Sequence, residues 1–129
     1  MPSSAWARVA WQGLLALDAF AAACAAGSFQ GSFAAWCERT PQGEPGFSPG
    51  KLASSERETV RNSPRMREPR MLPVPESAHP GGRVFMSEHL KLGQYRSVAP
   101  RLHFFHDGRN TGKVYVGYIG RHLPNTKTN

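Results

Sequence analysis

In the last third of this chain, histidines and an aspartate fall at the ends of strand-like runs. Imidazoles with a carboxylate are the ligand set of zinc and non-haem iron sites. His103, His106 and Asp107 all lie in Arg101-Leu-His-Phe-Phe-His-Asp107. On a strand, positions three apart point to opposite faces, so His103 and His106 cannot serve one metal together. His106 and Asp107 at the strand end, joined by His89 from a neighbouring strand, make the alternative set. Acid–base catalysis by His106 with Asp107 is the other chemistry on offer, but spacing supplies no nucleophile. Ordinary hydrogen-bonded or exposed histidines remain the simpler reading. No catalytic residue, metal or cofactor is assigned.

Gly108-Arg-Asn-Thr-Gly112-Lys113 invites comparison with a phosphate-binding loop. It fails that comparison. One residue is missing between the glycines, Val114 stands where Ser or Thr is needed, and the next element reads as a strand rather than a helix. A turn between two strands accounts for the glycines.

The interleaving of cations and aromatics carries more weight. Arg65, Arg67, Arg96, Arg101, Lys113, Tyr115 and Arg121 are the residues proposed to contact a partner. Aromatics on strands flanked by cations can stack bases while the cations track phosphates. The same groups also suit an acidic protein surface. The net charge is +7, and it is uneven. Residues 1–56 carry three Lys/Arg against four Asp/Glu, whereas residues 57–129 carry thirteen against five. Twelve arginines against four lysines lean towards carboxylate or phosphate forks, although a GC-rich coding sequence gives the same bias.

These residues need a scaffold, and the composition bounds it. At 129 residues the chain is one folded unit with a real core. Two cysteines, Cys24 and Cys37, are too few for a disulfide framework or a thiolate zinc site, and they read as small buried hydrophobes. Val9 to Ala26 resembles a signal peptide, but Asp18 and Gln12 interrupt it and Arg8 is its one leading cation. It reads as a soluble helix, with a cytoplasmic protein and no membrane contact as the expectation.

Three regions follow. Residues 1–40 form a helical hairpin, with one helix over 6–26 ending at Gly27 and a second over 32–39. Residues 41–80 hold eight of the eleven prolines and are mostly irregular, with one solvated helix over 48–62 and an extended edge segment at Met71–Pro75. Residues 81–129 form a β-meander with a fraying polar tail. Its first strand starts at Arg83 and breaks near Ser87, placing Val84, Met86, Leu90 and Leu92 on one face. The hairpin Arg101–His106 and Lys113–Ile119 sits centrally in the sheet, with Val114, Val116 and Tyr118 on one face and Tyr115, Gly117 and Ile119 on the other.

Gly82-Arg-Val-Phe-Met-Ser-Glu-His-Leu90, Ala99-Pro-Arg-Leu-His-Phe-Phe-His-Asp107 and Thr111-Gly-Lys-Val-Tyr-Val-Gly-Tyr-Ile-Gly-Arg-His-Leu123 resemble the closing part of a group of actinobacterial-type proteins of unknown function. Ser48-Pro-Gly-Lys-Leu52 and Glu58-Thr-Val60 are similar to their middle part. The resemblance covers about half of the chain. It implies a bacterial source and a greater natural length, and it brings no activity, cofactor or site residue.

The expectation is therefore an α+β unit in which the helices pack Trp11, Leu14, Leu15, Phe20, Phe33 and Trp36 against Leu102, Phe104, Val114 and Val116. Its function is expected to be that of a non-catalytic accessory module that binds an acidic protein through a basic, aromatic β surface. The alternatives are a nucleic-acid-binding domain and a His/Asp metal-dependent enzyme.

Overall fold

A computed structural model describes residues 2–94 and 98–124, and it is α+β. Helix α1 runs over Pro2–Ala25 and α2 over Phe33–Glu38. After Ala25 the amides of Gly27 and Ser28 bond the carbonyls of Cys24 and Ala23, and Gly27 takes φ 78°. That is a Schellman stop, which needs a left-handed residue where glycine stands. Ser32 caps α2 by accepting from the Ala35 amide at 3.2 Å.

The helix expected over 48–62 does not form as one piece. A 3-10 turn at Pro49–Lys51 leads into strand β1, Leu52–Ala53, and only Glu58–Asn62 is helical, as α3. Leu52 and Ala53 pair with Leu90 and His89, so sheet pairing overrides local helix preference there. As expected of a solvated helix, α3 is exposed but for Val60, which is buried. Helix α4, Pro64–Arg67, and a second 3-10 turn at Glu68–Arg70 follow.

Strands β2 (Met71–Pro73) and β3 (Arg83–Phe85) form a separate antiparallel ribbon. Strands β4 (His89–Lys91), β5 (Arg101–Asp107) and β6 (Lys113–Gly120) join β1 in a four-stranded antiparallel sheet of order β1-β4-β5-β6. The break near Ser87 is present. It separates Val84 and Met86, which pack with the ribbon, from Leu90 and Leu92, which pack under α1. The four do not share a face as expected. In the hairpin, β5 is internal and β6 lies at the edge.

One sheet face carries the main core. Phe20, Phe33, Trp36, Leu90, Leu92, Leu102 and Phe104 are buried together there. Phe20 stands at its centre, with the rings of Phe29, Phe33 and Trp36 at 5.4–6.1 Å in edge-to-face contact. Trp11, Leu15 and Val116, expected inside, are exposed. The buried stripe of α1 runs instead through Ala10, Ala16, Leu17 and Phe20. Gly13 lies on that stripe, and a Cβ there would come within 2.5 Å of the Leu90 side chain. Small residues set how closely α1 approaches the sheet, which turns Trp11 and Leu15 outward.

The other face carries Phe105 and Tyr115, packed on Val74, Ala78, Val84 and Met86 of the ribbon region. The β5–β6 register slips between His103 and Phe104: His103 faces Tyr118, whereas Phe104 faces Val116. Gly117 is the extra residue of this bulge. Beyond it the alternation reverses, so Tyr118 joins Tyr115 on the ribbon face and Ile119 joins Val116 on the other. A Cβ on Gly117 would lie 2.6 Å from Met86 Sδ and 2.8 Å from Leu72 Cβ. Met86 can bend away, but a Cβ so near the Leu72 backbone cannot. Gly117→Ala is expected to lower stability by about 1–3 kcal/mol, the usual cost of overpacking. Urea denaturation reads the loss; a change within about 0.5 kcal/mol of zero would mean that Met86 and Leu72 both yield to the added methyl.

Candidate functional site

The ribbon face of β4 and β5 holds a polar cluster. Pairing sets Ala53, His89, His103 and Tyr118 in one row across the sheet. The His89 and His103 rings stack at 4.7 Å with 25° between planes, and Tyr118 meets His103 edge-on at 6.1 Å. Each histidine is fixed by a carbonyl from the break between β3 and β4. His89 Nδ1 donates to Ser87 O and His103 Nδ1 to Met86 O, both at 2.9 Å. A carbonyl can only accept, so in each neutral ring the lone pair is left on Nε2.

The segment that covers this row brings Glu56 and Arg70. Arg70 Nε donates to Glu56 Oε2, and Arg70 Nη1 donates to Met66 O and Pro124 O at 2.7 Å each. The Arg70 side chain is 1% exposed and that of Glu56 is 8% exposed, so this ion pair is buried. Glu56 Oε2 also lies 3.8 Å from His89 Nδ1. Arg101 flanks the cluster on the same face, two residues before His103. Its Nη1 donates to Pro100 O, and its Nε is buried without a partner among the described residues.

The surroundings keep the imidazoles neutral. Burial pushes His103 down to about 3; the charges of His89, Arg70 and His122 add to this and the Met86 bond opposes it. Burial likewise lowers His89, with the Ser87 bond and Glu56 working against it. His122, whose Nδ1 donates to Leu123 O, is lowered by burial as well.

The set of His89, His106 and Asp107 is not brought together. His106 lies on the opposite face, its ring 4.8 Å from Phe20, with Nε2 buried and unpartnered among the described residues. Asp107 is occupied by the β5–β6 turn. It accepts from the amides of Asn110 and Thr111 and from the Thr111 hydroxyl. Burial works to raise its pKa, but these bonds outweigh it and hold the carboxyl below its usual range.

The basic residues are dispersed rather than gathered on a sheet face. Arg101 pairs with Gly120 at one end of the hairpin, and Lys113 pairs with Asp107 at the other. Six residue steps separate those ends, roughly 20 Å. Arg121 is exposed at the Arg101 end. Tyr115 is half-buried in the ribbon cluster and donates to Thr111 Oγ1 at 2.8 Å. Arg96 lies outside the described residues, as does the end of the polar tail at 125–129. Arg65 and Arg67 are exposed on α4, and Arg67 stands over the Phe85 ring at 4.4 Å. Arg57 and Arg61, exposed at the start and end of α3, extend the same basic segment. They are missing from the sequence-derived set, although their spacing around Val60 carries the signal.

Both cysteines are free thiols, and burial first of all raises Cys37 to about 11, which makes it unreactive. No described helix is long and apolar enough to cross a membrane. Comparison with protein-family models, with curated proteins and with solved structures gives no match to this chain.

A pH dependence follows from the buried imidazole. Folded His103 stays neutral down to about pH 3, whereas the unfolded ring protonates near 6.5. Unfolding therefore takes up a proton between those values, and stability must fall as pH falls from about 6.5 towards 3. His89, His106 and Asp107 act in the same direction and Glu88, raised by burial, acts against it. Urea denaturation at stepped pH should show a steeper acid limb for the native chain than for His103→Gln. Equal limbs would contradict burial of a neutral His103.

Proposed function

We propose that this chain is a non-catalytic binding module that docks an acidic protein partner through the arginines of α3 and α4. The observation that carries this reading is the exposure of Arg57, Arg61, Arg65 and Arg67 on one short segment, whose exposed carboxylates are Glu58 and Glu68, the latter already paired with Arg83. The segment is fixed from beneath, because Arg70 at its end is buried and bonded to Glu56, Met66 O and Pro124 O. Holding the backbone in place in advance lowers the ordering cost of binding. Guanidinium groups fork onto carboxylates, and a set of them steers an acidic surface towards the segment.

This moves the contact surface away from the sheet, where the sequence reading puts it. The main core covers one sheet face, and the ribbon and the 56–70 segment cover the other. The phenols of Tyr115 and Tyr118 are bonded to Thr111 Oγ1 and Arg121 O. Base stacking therefore has no open aromatic row among the described residues, which favours carboxylates over nucleic acid. The free thiols suit a reducing compartment, and the module is read as a bacterial cytoplasmic protein.

The test uses fluorescence anisotropy of labelled poly-glutamate and of labelled single-stranded DNA and RNA. Poly-glutamate should bind, and Arg65→Glu with Arg67→Glu should weaken it about tenfold or more, while Lys113→Glu with Arg121→Glu changes it little. Binding of the nucleic acids alone, with log affinity falling linearly against log salt, would replace this reading with the nucleic-acid one.

A further inference from the structure

The polar cluster has a geometry that the docking role does not use. One potential ligand atom from each of Glu56, His89 and His103 lies within 4.8 Å of the others. Two come from adjacent strands and the third from the covering segment. Metal-binding histidines characteristically donate their second ring N–H to a carbonyl or carboxylate, which fixes tautomer and ring orientation. Both histidines here do so, to Ser87 O and Met86 O.

We propose that Glu56, His89 and His103 form a binding site for a divalent transition-metal ion of the zinc class, set between the sheet and the 56–70 segment. Two imidazoles and one carboxylate are a recurrent zinc set, and three protein donors leave a coordination position open. Glu56 need not release Arg70 to take part. A carboxylate offers about four lone-pair sites, and a hydrogen-bonded ligand oxygen is ordinary at such centres.

Arg70 determines which ions fit. Its charge offsets that of Glu56, and Arg101 adds a further positive charge on the same face, so the surroundings of the neutral imidazoles are net positive. Mg²⁺ and Ca²⁺ depend on several anionic or carbonyl oxygens and gain little here. Ions that bond strongly to imidazole nitrogen gain most, which places Zn²⁺, Co²⁺, Ni²⁺ and Cu²⁺ above the hard cations. The bound ion would also link the sheet, through His89 and His103, to the arginine-bearing segment, through Glu56. It would then stabilise the fold in proportion to its affinity.

The experiment uses the untagged full chain, stripped with chelator and dialysed, then titrated with ZnCl₂, CoCl₂, MgCl₂ and CaCl₂. Calorimetry should show one equivalent of Zn²⁺. Co²⁺ should develop visible d–d absorption that Zn²⁺ abolishes, and Mg²⁺ and Ca²⁺ should give no heat. At a hundredfold excess of Zn²⁺ over its Kd, Tm should rise by about 10 °C. His89→Gln and Glu56→Gln should each weaken Zn²⁺ at least about tenfold. His106→Gln, which alters the opposite face, should leave the Co²⁺ spectrum unchanged. Circular dichroism of the metal-free variants establishes which are folded, and only folded variants are compared. Absence of stoichiometric Zn²⁺ or Co²⁺ in the native chain would overturn the proposal. So would a Co²⁺ spectrum that survives His89→Gln, or one lost in folded His106→Gln.

Discussion

The ion pair between Arg70 and Glu56 is the constraint on which the second half of the molecule rests. A guanidinium at 1% exposure is tolerable only when its charge and its N–H groups are met. Arg70 meets this requirement with one carboxylate and two carbonyls, drawn from residues 56, 66 and 124. Three parts of the chain are thereby held at one point: the start of the covering segment, the end of α4 and the stretch after β6. Its own carbonyl accepts from the Met86 amide, so the same residue also extends the β2–β3 ribbon. Placement of the exposed arginines, and of Glu56 beside the two histidines, both follow from that point.

The two sheet faces are built on different physics. Under α1 the contacts are apolar and aromatic, centred on Phe20, and α1 approaches closely because Gly13 and its alanine neighbours allow it. On the other face an apolar patch around Met86, Phe105 and Tyr115 adjoins a polar one around His89, His103 and Arg101. Both patches depend on the same short break at Met86–Ser87. It sends Met86 into the apolar patch and turns two carbonyls onto the histidines. The bulge at Gly117 then places Tyr118 against His103.

Where a local signal sufficed, the sequence was readable. Gly27 ended α1, Ser32 opened α2, the Asp107–Gly112 turn joined β5 to β6, and Ser87 marked a break. What stayed hidden depended on distant partners. Leu52 and Ala53 look helical until Leu90 and His89 pair with them. Trp11 and Leu15 look like core until small residues win the helix face. Arg70 cannot be told from Arg65 or Arg67 by type, since only the carboxylate of Glu56 and the carbonyl of Pro124 bury it. The sequence reading groups His89 with His106 and Asp107 and leaves His103 aside, whereas strand pairing sets His89 beside His103.

The most direct test is a double-mutant cycle on this pair, with Arg70→Met, Glu56→Gln and the combined variant compared by urea denaturation. Breaking a buried pair from one side strands a charge or its donors, and Arg70→Met should cost about 3–5 kcal/mol. The combined variant should then be clearly more stable than the sum of the two losses requires, with coupling of about 1–3 kcal/mol. Additive losses, or an Arg70→Met change within about 0.5 kcal/mol of zero as at an ordinary surface position, would show that the pair does not hold the segment to the sheet.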